Sequence, residues 1–235
     1  GYLKLGTFVI WNFEMDWKNF LKESFNTLKK NKIENLIIDV RGNEGGLDEV
    51  LAELGKYLLK VPCTVDNYET RVRYVQIPSS IQPYLSTWDK SVYDLSGKVA
   101  PTDNSFYTVP GERKQNTYPS ARNPYQGRVY LLVDAANSSA TFYLARLAKE
   151  CGFATLVGQE TGGSRRGLNA GNTLFLRLPN SKIEVDIPIF GTFPRSEQPA
   201  RGIKPDFEVQ PKVNDIINGI DPELEFVKKL IQEQK

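Results

Sequence analysis

A chain of 235 residues, 40% hydrophobic and 25% charged, carries enough apolar material for a sizeable core and has the balance of an ordinary globular protein. A formal net charge of +2, with Lys and Arg scattered rather than striped, excludes a general electrostatic pull toward nucleic acid, and no uninterrupted apolar run is long enough to span a bilayer. The chain has no histidine, so a general base drawn from these residues is not an imidazole.

In chain order, Tyr2 to Ile10 reads as a strand, and Trp17, Phe20, Leu21, Phe25 and Leu28 mark the apolar face of a helix. Leu36 to Val40 is a buried strand running into a glycine-rich turn with Gly42, Gly45 and Gly46. Leu47, Val50, Leu51, Leu54 and Leu58 then set out a second amphipathic helix. Ser79 to Gln126 is polar, turn-rich and aperiodic, yet dotted with Tyr84, Trp88, Tyr93, Phe106, Tyr107, Tyr118 and Tyr125. Residues 62–126 are therefore read as an insertion, with its aromatics either anchoring it to the body or forming a lid or substrate flap. Arg128 to Asp134 is a further strand. A short turn places Ser139 at the mouth of a helix whose inward stripe is Leu144, Leu147, Ala148 and Cys151. Ala154 to Val157 is a short strand, and Thr173 to Pro179 with Lys182 to Pro188 reads as a hairpin around Asn180 and Ser181. Asp221 and Pro222 supply an N-cap and first helical residue for a terminal helix that buries Leu224, Val227 and Ile231. Alternating strands and helices predict an α/β fold, a mostly parallel sheet flanked by helices, over one domain spanning 1–235.

The chemistry-bearing residues are ambiguous taken singly. Gly42, Gly45 and Gly46 match neither a dinucleotide fingerprint nor a P-loop, and by default are turn glycines. Ser139 alone reads as a helix N-cap as readily as a nucleophile. Solvated roles suffice for Asp39, Asp134, Glu160, Glu197 and Asp206, and no group of residues has metal-ligand spacing. Cys63 and Cys151, far apart in sequence, read as two buried free thiols rather than a disulfide, which leaves the compartment open.

Taken together, five segments carry more. Gly1 to Phe8, Ile37 to Gly46, Ser138 to Ala140, Val157 to Gly163 and Gly202 to Asp206 fall in an order that resembles the C-terminal-processing and tricorn-core serine peptidases, across nearly the whole chain outside 62–126. The resemblance implies a ClpP- or crotonase-like core with Ser139 as nucleophile. Its oxyanion hole would be formed by the Ala140 N–H and one from Gly45 or Gly46. Gly46, Gly162, Gly163 and Ser164 would line the path of a peptide or unfolded-protein substrate, with no cofactor. The position aligned with the lysine base of the tail-specific branch holds Ser164, followed by Arg165 and Arg166, and arginine is no base at neutral pH. The tricorn-like branch takes a histidine from upstream of the core and an acidic partner, for which Glu197 is the nearest candidate. The expectation is an endopeptidase core cut from a longer chain, its base supplied by an upstream segment, and located in a bacterial cell envelope or exported. A chain opening on Gly1 leaves room for a removed export signal. Two other readings stay open: an inactive peptidase-fold module that binds peptides or apolar ligands, and a crotonase-like acyl-CoA enzyme.

Overall fold

The computed structural model describes residues 1–233 other than 103, 104, 113 and 121. The chain divides into two compact units, one of residues 1–65, 117–164 and 201–235, the other of 66–116 and 165–200. The first unit opens with β1 (Tyr2–Lys4), α1 (Trp17–Lys30), β2 (Asn35–Asp39), α2 (Glu49–Leu58) and β3 (Cys63–Asp66). The second contributes β4 (Glu69–Val72), β5 (Leu85–Ser86), β6 (Ala100–Pro101) and β7 (Tyr107–Thr108), after which β8 (Gln115–Tyr118) pairs with β3. Next come β9 (Arg128–Val133), α3 (Ser139–Glu150) and β10 (Thr155–Gly158), then the long hairpin β11 (Leu168–Arg177) and β12 (Glu184–Phe193). The chain closes with β13 (Phe207–Glu208), α4 (Val213–Ile217) and α5 (Pro222–Glu233).

The first unit is built on a five-stranded sheet ordered β1-β2-β9-β10-β13, with every neighbouring pair parallel. Both faces of a parallel sheet are covered, so its strands read as continuous apolar runs, as Leu36 to Ile38 and Val129 to Val133 do. On one face Ile37, Tyr130, Leu132 and Val157 bury against Val227 of α5, with Leu224, Phe226, Leu230 and Ile231 packed around them. The alternate residues Leu36, Ile38, Leu131 and Leu156 are 0–1% exposed on the other face. The helix ends follow the expected chemistry. Asp16 accepts from the Asn19 N–H at the start of α1, and Asp221 from the Leu224 N–H at the start of α5.

The second unit is a six-stranded antiparallel sheet ordered β5-β11-β12-β4-β7-β6. Ile77, Val92, Leu174 and Ile189 form its core. Its aromatics pack onto the hairpin: Trp88 edges onto Phe175 at 5.1 Å and Phe106 onto Phe193 at 5.4 Å. Tyr125, by contrast, is buried in the first unit, where its hydroxyl donates to the Ile33 carbonyl and its ring lies edge-on to Phe25.

Two expectations need correction. The first strand is shorter than the pattern suggested, ending at Lys4 and resuming only as an isolated bridge from Phe8 to Gly46. Cys63 and Cys151 are not free thiols. They form a disulfide with Cα atoms 5.8 Å apart, and both residues are half-buried rather than core. Their separation of 88 positions in the sequence hid the pairing. The fold returns the C-cap of α3 beside the start of β3, which no local pattern encodes.

Candidate active site

β2 and β9 are adjacent parallel strands, so the loops leaving their C-terminal ends emerge side by side, the usual place for a site in such a sheet. The Val40 N–H donates to the Leu132 carbonyl at 3.2 Å and carries the ladder up to the mouth of both loops. From there the loops are tied by side chains. Asp134 accepts from the Gly42 N–H at 2.9 Å with one oxygen and from the Ala136 N–H with the other. Asn137, fully buried, donates to the carbonyls of Val40 (2.6 Å) and Asn43 (3.2 Å) and accepts from the Asp134 N–H. The Ser138 hydroxyl donates to the Glu44 carbonyl at 2.8 Å.

Ser139 follows with φ of 49°, the left-handed region that a non-glycine residue adopts only at a cost. A serine on a tight strand–turn–helix with such a backbone projects its side chain away from the turn. Ser139 is half-buried, and its hydroxyl has no hydrogen-bond partner among the described residues. The N-cap of α3 is Ser138, so the capping reading of Ser139 is set aside. The N–H groups of Thr141 and Phe142 turn back to the Ser138 carbonyl, whereas the Ala140 N–H belongs to the unpaired first turn.

The glycine loop faces this turn. A Cβ placed on Gly45 would stand 2.7 Å from the Ser139 Cβ and 3.0 Å from the Ala140 nitrogen, so the loop backbone touches the serine only because residue 45 has no side chain. The Gly45 N–H is engaged by the Asn43 side-chain oxygen at 2.9 Å. At Gly46 the bridge to Phe8 uses the Gly45 carbonyl and the Leu47 N–H, so the N–H and carbonyl of Gly46 itself point to the other side. The Gly46 N–H has no partner among the hydrogen bonds of the described residues.

Gly162 and Gly163 both donate their N–H to the Asn137 carbonyl, at 3.0 and 3.3 Å. A Cβ on Gly162 would stand 2.1 Å from the Ala135 carbonyl oxygen, and one on Gly163 2.4 Å from the Phe142 ring. These glycines let the 159–163 segment press against the serine loop. Ser164 is half-buried at the end of that segment. Thr161 and Glu160 bind the Ile203 and Gly202 amides in turn, and Glu160 also pairs with Arg201. Asp206 accepts from Lys149 and from the Leu156 N–H.

Below the glycine loop, Arg41 makes a two-pronged contact to Asp39 and another to Asp221, and reaches Glu223 at 3.3 Å, while the Tyr2 hydroxyl donates to Asp39 at 2.6 Å. Asp39 is 1% exposed, which corrects the solvated role expected for it. Burial pushes its carboxyl up, but the hydrogen bonds from Arg41 and Tyr2 outweigh that and hold it below the usual range. Arg41 likewise holds Asp221 down, whereas burial raises Glu223. Burial and the Asp39 bond push the Tyr2 hydroxyl up to about 12. The cluster pins α5 to the start of the glycine loop.

Among the described residues no group of carboxylate, cysteine or histidine side chains could hold a metal, and no helix is long and apolar enough to cross a membrane. Sequence reasoning missed Asn43, Asn137 and Thr141. Their one signal was position, as short polar residues beside the two turns that close the parallel strands.

The model of peptidase family S41 matches residues 1–209. No curated protein matches the chain. Among solved structures, a candidate peptidase from Parabacteroides merdae is 21% identical with a TM-score of 0.62, covering 98% of this chain and 60% of its own. Mature CPAF complexed with lactacystin is 17% identical with a TM-score of 0.59, covering 98% of this chain and 50% of its own. The chain thus spans about 60% or less of the length of these structural relatives, and the likeness establishes the shared fold, mixed α/β with a mostly parallel sheet.

Proposed function

This chain belongs to peptidase family S41, and on that premise we propose that it is the core of a serine endopeptidase in which Ser139 attacks the scissile carbonyl. The observation that carries the reading is the left-handed Ser139, with an unengaged hydroxyl, set between the free Ala140 N–H and the Gly45-Gly46 backbone. In the reaction the Ser139 oxygen bonds to the substrate carbonyl carbon and its proton passes to a general base. The carbonyl oxygen takes up the negative charge, and the Ala140 and Gly46 N–H groups donate to it. Gly46 is the better second donor than Gly45, whose N–H Asn43 already occupies. Collapse of the tetrahedral intermediate expels the amine, which takes the proton from the base, and water then releases the acyl group by the same route.

The base comes from outside these residues. The sequence has no histidine, and no titratable side chain is bonded to the Ser139 hydroxyl among the described residues. The outward N–H and carbonyl of Gly46 offer a substrate backbone a β-type pairing, so the substrate is an extended peptide. Gly162, Gly163 and Ser164 shape the wall behind the serine, with the two glycines acting through packing rather than through their N–H groups. The Cys63–Cys151 disulfide fits an oxidising compartment, hence an exported or envelope protein.

A fluorophosphonate probe tests this. The parent protein that includes its base labels rapidly and loses all labelling in Ser139→Ala, while the 1–235 chain alone labels slowly. Fast labelling of the isolated chain would place a base within it. Peptide binding without any labelling of the parent protein would favour an inactive binding module, the reading to which the missing histidine also points.

A further inference from the structure

Asn43 and Thr141 stand between the two halves of the site without facing the space where a substrate would lie. Both are 0% exposed. The Asn43 side-chain oxygen accepts two hydrogen bonds, from the Gly45 N–H at 2.9 Å and from the Thr141 hydroxyl at 2.9 Å. Its nitrogen donates to the Leu5 carbonyl at 2.8 Å. The partners fix the orientation of the amide: a backbone N–H can only donate and a backbone carbonyl only accept, so the oxygen must face Gly45 and the nitrogen Leu5. One side chain therefore joins the end of the β1 segment, the glycine loop and the first turn of the helix that begins at Ser139.

We propose that Asn43 and Thr141 are positioning residues that set the oxyanion hole, an inference that rests on Ser139 being the nucleophile. Two consequences follow from the geometry. Asn43 withdraws the Gly45 N–H into its own bond, which directs the Gly45–Gly46 peptide and leaves Gly46 as the donor on the open side. Thr141 sits two residues after Ser139 and one after Ala140, so its bond to Asn43 fixes the spacing between the helix N–H and the loop N–H. Two donors aimed at one developing oxyanion work only if their separation is held to a fraction of an ångström. The close approach of Gly45 to the Ser139 Cβ shows how little slack the arrangement has. A buried amide held by three hydrogen bonds has little freedom to move, and this one ties together the elements that must not drift.

The test uses the intact protein with its general base and a quenched-fluorescent unstructured peptide, comparing Thr141→Val, Thr141→Ser, Asn43→Ala and Ser139→Ala. Thr141→Val keeps the side-chain volume and removes only the hydroxyl. It lowers kcat about tenfold and Asn43→Ala about a hundredfold, with KM changed less than about threefold, since the loss falls on the transition state. Thr141→Ser restores the hydroxyl and brings kcat back within about twofold. The affinity of a peptide boronic acid, whose tetrahedral adduct places an oxygen in the hole, falls in step with kcat. A purely structural role would lower the melting temperature and leave kcat per folded molecule and boronate affinity alone. Should Asn43→Ala not fold, the Thr141 pair decides. Ser139-dependent turnover with an unchanged kcat in Thr141→Val, or a loss confined to KM, overturns the positioning role alone. Turnover that survives Ser139→Ala, or is absent altogether, overturns the nucleophile assignment and this inference with it.

Discussion

Breaking the Cys63–Cys151 bond tests how the first unit is held closed. The bond spans 88 residues, a loop that contains the whole 66–116 excursion into the second unit, so its main action is on the unfolded chain. Chain-entropy loss for a loop of that size is about 4.6 kcal/mol at 25 °C, and native disulfides deliver about 2–4 kcal/mol. For a chain of this length each kcal/mol moves the melting temperature by about 2–4 °C, so Cys63→Ser with Cys151→Ser lowers it by roughly 5–15 °C. Calorimetry of the double variant, and of the parent protein under reductant, should give the same fall. The effect on chemistry is separate. Cys151 lies a full helix away from Ser139, about 18 Å at 1.5 Å per residue, so the folded double variant labels with fluorophosphonate as fast as its parent. Two free thiols in the unfolded, unreduced parent protein, or a melting temperature lowered by less than about 1 °C, would refute the reasoning.

Arg41→Met leaves Asp39 and Glu223 buried without their cation and destabilises by about 3–5 kcal/mol, read from urea unfolding at pH 7. Asp39 and Asp221 are held below their unfolded values, so their contribution is present above pH about 4 and is lost as pH falls through the folded values. Glu223, raised by burial, works in the opposite sense, and urea midpoints from pH 7 to pH 3 should fall more steeply in the parent than in Arg41→Met. Gly45→Ala meets the Ser139 Cβ and the Ala140 nitrogen and cuts turnover at least about a hundredfold, whereas Gly42→Ala, with φ of 76° and open space around its Cβ, costs about 1 kcal/mol of stability and little activity. Ser138→Ala loses one bond to the Glu44 carbonyl, about 0.5–1.5 kcal/mol, and retains labelling that Ser139→Ala abolishes; the reverse order would exchange their roles.

Much of the first unit is legible in the sequence because burial imposes a period. The apolar runs of β2 and β9, the stripe of α2 and the Asp221-Pro222 start of α5 each state their environment locally. The hairpin was legible as a hairpin but not in its full ten-residue strands. Gly171, at φ of 90°, introduces a bulge between Ala170 and Thr173 that interrupts the alternation. The disulfide and the Asn43–Thr141 bond join residues 88 and 98 apart, and nothing in hydropathy marks a polar side chain as buried. Family resemblance singled out Ser139 and the glycine loop as candidates and left the Gly45 and Gly46 amides as alternatives for the second oxyanion donor. On the proposed function that choice turns on which N–H the Asn43 oxygen takes, and packing rather than sequence pattern gives it the Gly45 N–H.

The backbone at Ser139 allows one more deduction. Among the described residues, four non-glycine residues have positive φ: Lys32, Ser105, Ser139 and Lys182. Lys32, Ser105 and Lys182 lie in exposed turns, while Ser139 alone is half-buried and opens a twelve-residue helix. A left-handed conformation costs an L-residue about 1–2 kcal/mol and costs glycine almost nothing. At Ser139 that cost is offset by the bonds that fix the turn on either side, from Asn137, from Ser138 and through Thr141. If the strain is held there for the sake of the hydroxyl, removing the side chain should relieve it. Ser139→Gly is therefore expected to be more stable than Ser139→Ala by about 1 kcal/mol, and at least as stable as the parent, while both are inert toward fluorophosphonate. Urea unfolding of the three proteins decides it. A Gly variant no more stable than the Ala variant would mean that residue 139 bears no left-handed strain, and that the geometry aiming its hydroxyl has another origin.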